Sequence, residues 1–331
     1  MLNIALLSRW HPHATGYGRE FSAHPDCRVT VIWDEIPERG AAWAKELGCD
    51  FEPDYAKLLA RSDVDAICCT APTNLHRELF TQAARAGKHI FTEKVLAPTK
   101  ADAEAVRDVL AETGVKFVIS FPMRTNPRVL FAKKLLEEGL LGKPNYLRIR
   151  NAHDGLSGGW LPEFFTDPVS CGGGAMMDLG AHPMYLASYL LGKPARVTSL
   201  YNRLYNTPVD DNCVSVIEFE NQVIAVSETG FVTNSSPFSF ELSGTEGTFM
   251  FGGPDDNCRL KSSKLSGEAA GCWISPKLPK ALPSAVCQFV DAVLRDGDIL
   301  FGIDDAVALS ELMDGAYRSY HENRTVSFSE F

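Results

Sequence analysis

Two short segments of the 331-residue chain hold side chains that could move a proton. "FTEKVLAPT" (Phe91–Thr99) follows an apolar, strand-like run and places Glu93 and Lys94 at its end. A lysine there, tuned by burial and surrounding charge, can hold a substrate hydroxyl and help shuttle its proton. A surface lysine paired with Glu93 would carry the same signature. "GGGAMMDLGAHPMY" (Gly172–Tyr185) sets Asp178 and His182 four residues apart, which on one helix puts them on one face. A carboxylate so placed orients an imidazole and stabilises its protonated form, as a general base requires. The three glycines permit a close backbone approach. An Asp/His pair at this spacing also occurs on ordinary helix surfaces. Downstream of a nucleotide-binding fold, however, Lys94, Asp178 and His182 become a candidate catalytic triad.

The elements that must position them are legible from apolar runs. Strands are expected at residues 3–7, 28–33, 65–69, 88–92 and 115–120, with helices near 38–47, 54–60, 74–86 and 99–113. Thr99 is a plausible N-cap for the last helix, with Asp102 three residues on and Gly114 just past its end. Alternating apolar strands and helices make a parallel sheet covered on both faces, a doubly wound α/β fold. Ligands bind such sheets at the carboxyl ends of the strands, where "TAPTNLH" (Thr70–His76) and "FTEKVLAPT" lie. Beyond residue 121 the pattern changes. Helices near 127–138 and 177–191 precede strand-like runs at 196–201, 213–219, 223–229, 237–243 and 247–251. Residues 252–280 read as an irregular excursion, and helices near 283–296 and 304–321 close the chain. The expectation is a nucleotide-binding domain over 1–120 and an α+β domain with a large, mostly antiparallel sheet over 121–331.

A nucleotide-binding turn after the first strand would read G-x-G-x-x-G. Here "LLSRWHPHATGYG" (Leu6–Gly18) places Ser8, Trp10 and His13 at those three positions. Gly16 and Gly18 are candidates for displaced packing glycines. Ser8 could reach a phosphate through its N–H and hydroxyl, and Arg9, His11 or His13 could supply further donors. A plain structural role for both histidines is equally open. A metal site on His11 and His13 is not expected, because no cysteine or carboxylate lies near them at ligand spacing. Asp34, 26 residues after Ser8, can accept both adenosine ribose hydroxyls and repel a 2′-phosphate. NAD is therefore favoured over NADP, with Arg9 a mild counter-argument.

A net charge of −10 argues against a nucleic-acid or anionic-membrane surface. No run of 18 apolar residues occurs, and the strand at 3–7 leaves no room for a leader, so the cytoplasm is the default. The nine cysteines include no C-x-x-C and read as reduced, largely buried thiols.

On these motifs the chain resembles the Gfo/Idh/MocA oxidoreductases nearly end to end. "AGKHIFTEKVLAPT" is similar to the family's A-G-K-x-x-x-x-E-K-P-L-A segment, and "GGGAMMDLGAHPMYLASYLLG" to its G-G-G-x-x-x-D-x-G-x-H segment. "TAPTNLH" is similar to the T-P-x-x-x-H cofactor loop, which points to Thr70, Pro72, Asn74 and His76, beside Glu93, as cofactor contacts. "LSGTEGTFMF" and "GIDDAVALSELMDGAYRSYHENRTV" are similar to later family segments. The resemblance implies a Rossmann domain that binds NAD and a second domain that receives a small carbohydrate or polyol. It implies that His182, oriented by Asp178, takes the hydroxyl proton while Lys94 holds the same oxygen and the substrate carbon delivers hydride. Arg124, His153, Asp154, Trp160 and Asp167 are weaker candidates for substrate contact. A homo-oligomer, dimer or tetramer, is expected because the family's open sheet commonly pairs between subunits. The chain departs from the pattern at Val95, where the family has proline, and at the first turn. A glycoside-cleaving enzyme working through transient oxidation and a non-catalytic sensor are the alternative readings.

Overall fold

Strand β1 (Leu2–Leu7) is almost wholly buried, as an apolar run without polar alternation must be. The computed structural model describes residues Met1–Phe331. From β1 the chain continues through α1 (Ala14–Ala23), β2 (Cys27–Trp33), α2 (Pro37–Leu47), β3 (Asp50–Phe51), α3 (Tyr55–Leu59) and β4 (Ala66–Cys69). It then forms α4 (His76–Arg85), β5 (His89–Thr92), α5 (Lys100–Thr113) and β6 (Phe117–Ile119). The six strands are parallel in the order β3-β2-β1-β4-β5-β6. The order reverses beside β1, so the segments leaving β1, β4 and β5 share the edge where doubly wound sheets take ligands. The Thr99 side chain accepts the Asp102 amide, and Gly114 at φ +69° ends α5, as expected from the sequence.

The second sheet is built from β7 (Pro144–Ala152), which follows α6 (Pro127–Glu137), and from strands after α7 (Pro168–Cys171), α8 (Ala175–Asp178) and α9 (Ala181–Leu191). Those strands are β8 (Pro194–Asn202), β9 (Asn212–Phe219), β10 (Ile224–Gly230), β11 (Ser239–Gly244), β12 (Gly247–Gly252) and β13 (Asn257–Ser262). The order is β13-β12-β11-β7-β10-β9-β8-β14, with β14 (Val326–Ser327) at one edge and only the β7–β10 pair parallel. Sequence reasoning missed β7, although it lies inside the sheet. Its buried Leu147 and Ile149 alternate with Arg148 and Arg150, and the charges mask the apolar period. Both arginines pair with Glu228 on β10, which is how the outer face accommodates them. Strand β13 likewise lies in the stretch expected to be irregular.

Two expectations need correction. Residues 121–331 do not form one unit: the chain divides into 1–121 with 283–310, and 122–282 with 311–331. The reason is α10 (Ala285–Arg295), whose Phe289 packs 6.3 Å from Phe21 of α1 and 5.7 Å from Phe91 of β5. An amphipathic helix states that it has an apolar face, not which sheet that face covers. The expected helix at 177–191 is also two helices, interrupted at Leu179 and Gly180. A last helix, α11 (Ile303–Glu322), precedes β14, and no helix is long and apolar enough to cross a membrane.

Candidate active site

In the first unit, Ser8 adopts φ +67°, the left-handed conformation that a glycine would supply at this point of a nucleotide turn. Serine pays for this with two hydrogen bonds on its Oγ, from the Trp10 amide at 3.1 Å and from Arg39 Nη2 at 3.2 Å. Its own amide donates to the Trp33 carbonyl at 2.7 Å and its side chain is fully buried, so Ser8 shapes the turn and its amide is not available to a phosphate. Trp10 is buried within the same turn. Of the two later glycines, Gly18 fits the packing role: a Cβ there would meet Trp43 at 3.3 Å and Leu6 at 3.4 Å, whereas Gly16 faces open space.

Glu93 comes to this turn from the end of β5. Its Oε1 lies 2.6 Å from His13 Nδ1 and also accepts the Tyr17 hydroxyl, while Oε2 accepts the Lys94 amide at 3.0 Å. Burial alone would raise the Glu93 carboxyl. The His13 hydrogen bond and the charges of His11, His13 and Lys94 outweigh it and hold the group well below the usual carboxylate range. Burial and the Glu93 charge together push Tyr17 well above the ordinary phenol value, so it remains a donor. His11 and His13 lie with ring centroids 4.6 Å apart, and His13 is half-exposed at the position preceding α1. Ligand atoms of His11, His13 and Glu93 come within 4.8 Å of one another. The carboxylate missing from the local sequence is therefore supplied by the fold, and this trio could hold a divalent cation. An ion bound through the two Nδ1 atoms would displace two hydrogen bonds, since His11 Nδ1 accepts the His13 amide at 3.2 Å and His13 Nδ1 meets Glu93. The two imidazoles at the positive end of α1 also fit the diphosphate of a dinucleotide as donors.

Asp34 is buried at the end of β2, and both of its oxygens are occupied. It accepts the amides of Arg9 and Ile36, each at 2.8 Å, and the Arg39 guanidinium through Nε and Nη2 at 2.8–3.1 Å. The carboxylate thus fixes the turn, and Arg39 would have to yield for a ribose to reach it. The Arg9 side chain pairs with Glu46 at 2.6 Å and lies over the Trp43 ring.

Around β4 and β5, Thr70 donates to the Ser8 carbonyl at 2.7 Å and ties the strand end to the turn. His76 is buried, with Nδ1 at 2.9 Å and 3.1 Å from the Val95 and Leu96 carbonyls and Nε2 at 3.0 Å from Ala71. Burial lowers its pKa. His76 is therefore a fastener between two loops rather than a residue displayed to a ligand. Pro72 is buried, whereas exposed Asn74 lines a cavity of about 530 Å³ with Arg77, Pro98 and Asp102. Lys94 is buried next to Glu93, and the Lys94–Val95 peptide bond is cis.

In the second unit Asp178 ends α8 and His182 lies in the first turn of α9, so one continuous helix face does not join them. The Nδ1 of His182 is instead 2.9 Å from the hydroxyl of Tyr185, which also accepts the Met123 amide at 3.1 Å. The glycine run is held by Asp210, which sequence reasoning did not single out. Its carboxylate accepts the amides of Gly174 at 3.0 Å and Met176 at 2.8 Å, and the Tyr317 hydroxyl at 2.7 Å. A Cβ on Gly173 would collide with Tyr317, and one on Gly174 would come within 2.8 Å of the Asp210 backbone nitrogen and closer to its carbonyl. These glycines make room for the clamp, not for a ligand.

The weaker substrate candidates separate into two groups. Asp167 caps α7, accepting the amides of Val169 and Ser170 at 3.2 Å and 3.1 Å, and is a structural residue. Arg124 is buried, with its guanidinium 4.2 Å over the Tyr189 ring. His153 is stacked 5.3 Å from Phe231 and lies 4.6 Å from Trp160, whose Nε1 donates to Asp154 at 3.1 Å. Burial lowers the His153 pKa against the raising charge of Asp178. His153 and Asp154 line a cavity of about 570 Å³ with Thr233, Ser235 and Ser236, a hydroxyl-rich wall that only the "TNSS" run could have signalled.

Residues 13–121 match the oxidoreductase family with an NAD-binding Rossmann fold, and residues 129–250 match the GFO/IDH/MocA C-terminal domain. The chain is 26% identical to inositol 2-dehydrogenase of Rhizobium meliloti over 331 residues, covering 95% of each. It is 28% identical to scyllo-inositol 2-dehydrogenase (NAD(+)) of Bacillus subtilis over 239 residues, covering 69% of this chain and 67% of that one. Its fold is that of levoglucosan dehydrogenase solved with NADH and L-sorbose, with TM-score 0.86, 21% identity and 99% of each chain covered. A left-handed turn after β1 and a lysine after β5, on a parallel six-stranded sheet followed by a large antiparallel one, therefore belong to an NAD-binding oxidoreductase of the Gfo/Idh/MocA family.

Proposed function

We propose that this protein is an NAD-dependent dehydrogenase or reductase that acts on a secondary alcohol of a sugar, sugar acid or cyclitol. The observation that carries this reading is the His13–Glu93 pair at the mouth of the first turn. It orients His13 beside His11, and these two imidazoles at the start of α1 supply donors for a diphosphate where the glycine turn is missing. His11, His13 and the N-terminus of α1 hold the diphosphate, with Asp34 and Arg39 on the ribose side. NAD bound there would supply the hydride acceptor or donor. Lys94 holds the substrate oxygen and stabilises its charge, His182 takes the hydroxyl proton, and Asp178 adds a negative charge that favours the imidazolium. The cavity beside His153, with hydroxyl groups on one wall and the Trp160 ring nearby, suits a polyhydroxylated ring.

The outer face of the second sheet exposes Leu200, Val214, Val216 and Ile224, which supports a homo-oligomer formed through that face. A cytoplasmic location accords with nine unpaired cysteines.

The test is a screen of polyols, sugar acids and glycosides for NAD reduction, followed by Lys94→Ala and His182→Ala on the best substrate. Each variant is expected to lose about 10²- to 10⁴-fold in turnover with NADH affinity unchanged. Near-wild-type turnover in either variant would remove that residue from the site. Glycoside cleavage without net NADH would replace the reading by redox-assisted elimination.

A further inference from the structure

The turn after β1 meets a carboxylate from far along the chain. His11 and His13 flank Pro12, whose ring restricts the backbone between them, and their ring centroids lie 4.6 Å apart. Glu93 enters from the end of β5, 80 residues beyond His13, with Oε1 2.6 Å from His13 Nδ1. One ligand atom from each of the three residues lies within 4.8 Å of the other two. Donor atoms around a tetrahedral zinc ion sit about 3.3 Å apart, at bond lengths of roughly 2.0–2.2 Å. The present separations span that value, so the set closes by side-chain rotation, for which half-exposed His13 has room.

We propose that His11, His13 and Glu93 form a zinc site at the mouth of this turn, and that zinc and NAD compete there. Two imidazoles and one carboxylate are a zinc donor set that leaves a fourth position for water. Hydrogen bonds from outside the set already aim the carboxylate: Glu93 Oε1 accepts the Tyr17 hydroxyl, and Oε2 accepts the Lys94 amide at 3.0 Å. The His11 amide donates to the Thr70 carbonyl at 3.2 Å, which fastens the loop to the segment leaving β4. The Lys94 charge also acts on Glu93; it opposes the ion and keeps it exchangeable. Coordination exchanges the present hydrogen bonds of both imidazoles for bonds to the metal and ties the rings to Glu93. They are then lost as donors to a diphosphate; this competition rests on the assignment of both histidines to the cofactor.

Cobalt(II) titrated into the intact protein without NAD tests the site. It is expected to give the intense visible bands of a four-coordinate ion, and Zn²⁺ is expected to bleach them. His11→Ala, His13→Ala and Glu93→Gln should each weaken binding by more than about 10-fold. No bands in the wild type, or bands that survive the histidine substitutions unchanged, would overturn the site. Circular dichroism checks each variant, and the half-exposed His13→Ala decides should the two buried substitutions not fold. Zn²⁺ should raise the apparent Kd for NADH in a fluorescence titration, in proportion to free Zn²⁺. An NADH affinity unchanged or increased by Zn²⁺ would overturn the competition. Cobalt binding without any NADH binding would support the site and overturn the cofactor reading, and the competition with it.

Discussion

The molecule contains two turns that sequence reasoning tied to glycine, and they solve the same problem in opposite ways. The turn after β1 has lost its glycines yet keeps the left-handed backbone at Ser8, braced by Trp10 and Arg39. The turn before α8 keeps Gly173 and Gly174, but their lack of a Cβ serves Tyr317 and Asp210. The difference is energetic. A left-handed L-residue costs roughly 1–2 kcal/mol, which one or two hydrogen bonds offset. A Cβ driven into backbone atoms has no such remedy, because a packed interior cannot yield there.

The sharpest way to break the comparison is to exchange the residues. Gly174→Ala is expected to destabilise the protein by about 3 kcal/mol or more, whereas Ser8→Gly should stay within about 1 kcal/mol of wild type. Chemical denaturation reads both, and a Ser8→Gly loss as large as that of Gly174→Ala would mean that the side chain, not the dihedral, builds the first turn.

The first turn also depends on ionisation in a way the second does not. Glu93 is held below its ordinary value of 4.5. The stability it contributes is therefore fully present above about pH 4.5 and is lost as pH falls below it. Between pH 4.5 and the acid transition, Glu93→Gln should flatten the dependence of unfolding free energy on pH by up to about 1.4 kcal/mol per pH unit. Identical slopes would show that the buried carboxylate is not ionised there.

The smallest expected effect concerns the ribose side. The wild type is expected to bind NADH more tightly than NADPH in a fluorescence titration. Arg39→Ala uncovers Asp34 and should widen that preference by about fivefold, the equivalent of ~1 kcal/mol. Equal or reversed affinities in the wild type would take Asp34 out of cofactor choice.

Much of the fold was legible because burial writes itself into apolar runs. The strands that became β1, β2, β4, β5 and β6 were all found within two residues of their ends. Strand β7 was not, since its exposed face carries arginines whose partner Glu228 is 78–80 residues away. The candidate site was legible as residue types but not as contacts. Glu93 and His13, Asp210 and the glycine run, Tyr185 and Met123 are pairs separated by 36 to 80 residues, and local spacing is silent about them. The family motif points to His76 as a cofactor contact, and its place ahead of the glycine run makes Asp167 a weaker substrate candidate. In the fold they satisfy backbone groups that would otherwise be unpaired.

By itself, the sequence determined the alternation of strands and helices, the family motifs around Lys94, Asp178 and His182, and the loss of glycine from the first turn. These follow from local propensity and periodicity, which act over a few residues. Only the tertiary structure decided that Ser8 keeps the glycine conformation, that Glu93 meets His13, and that α10 belongs with the first unit. Each of these depends on which distant atoms fill the space around a side chain, and packing and buried hydrogen bonding settle that only once the chain has closed on itself.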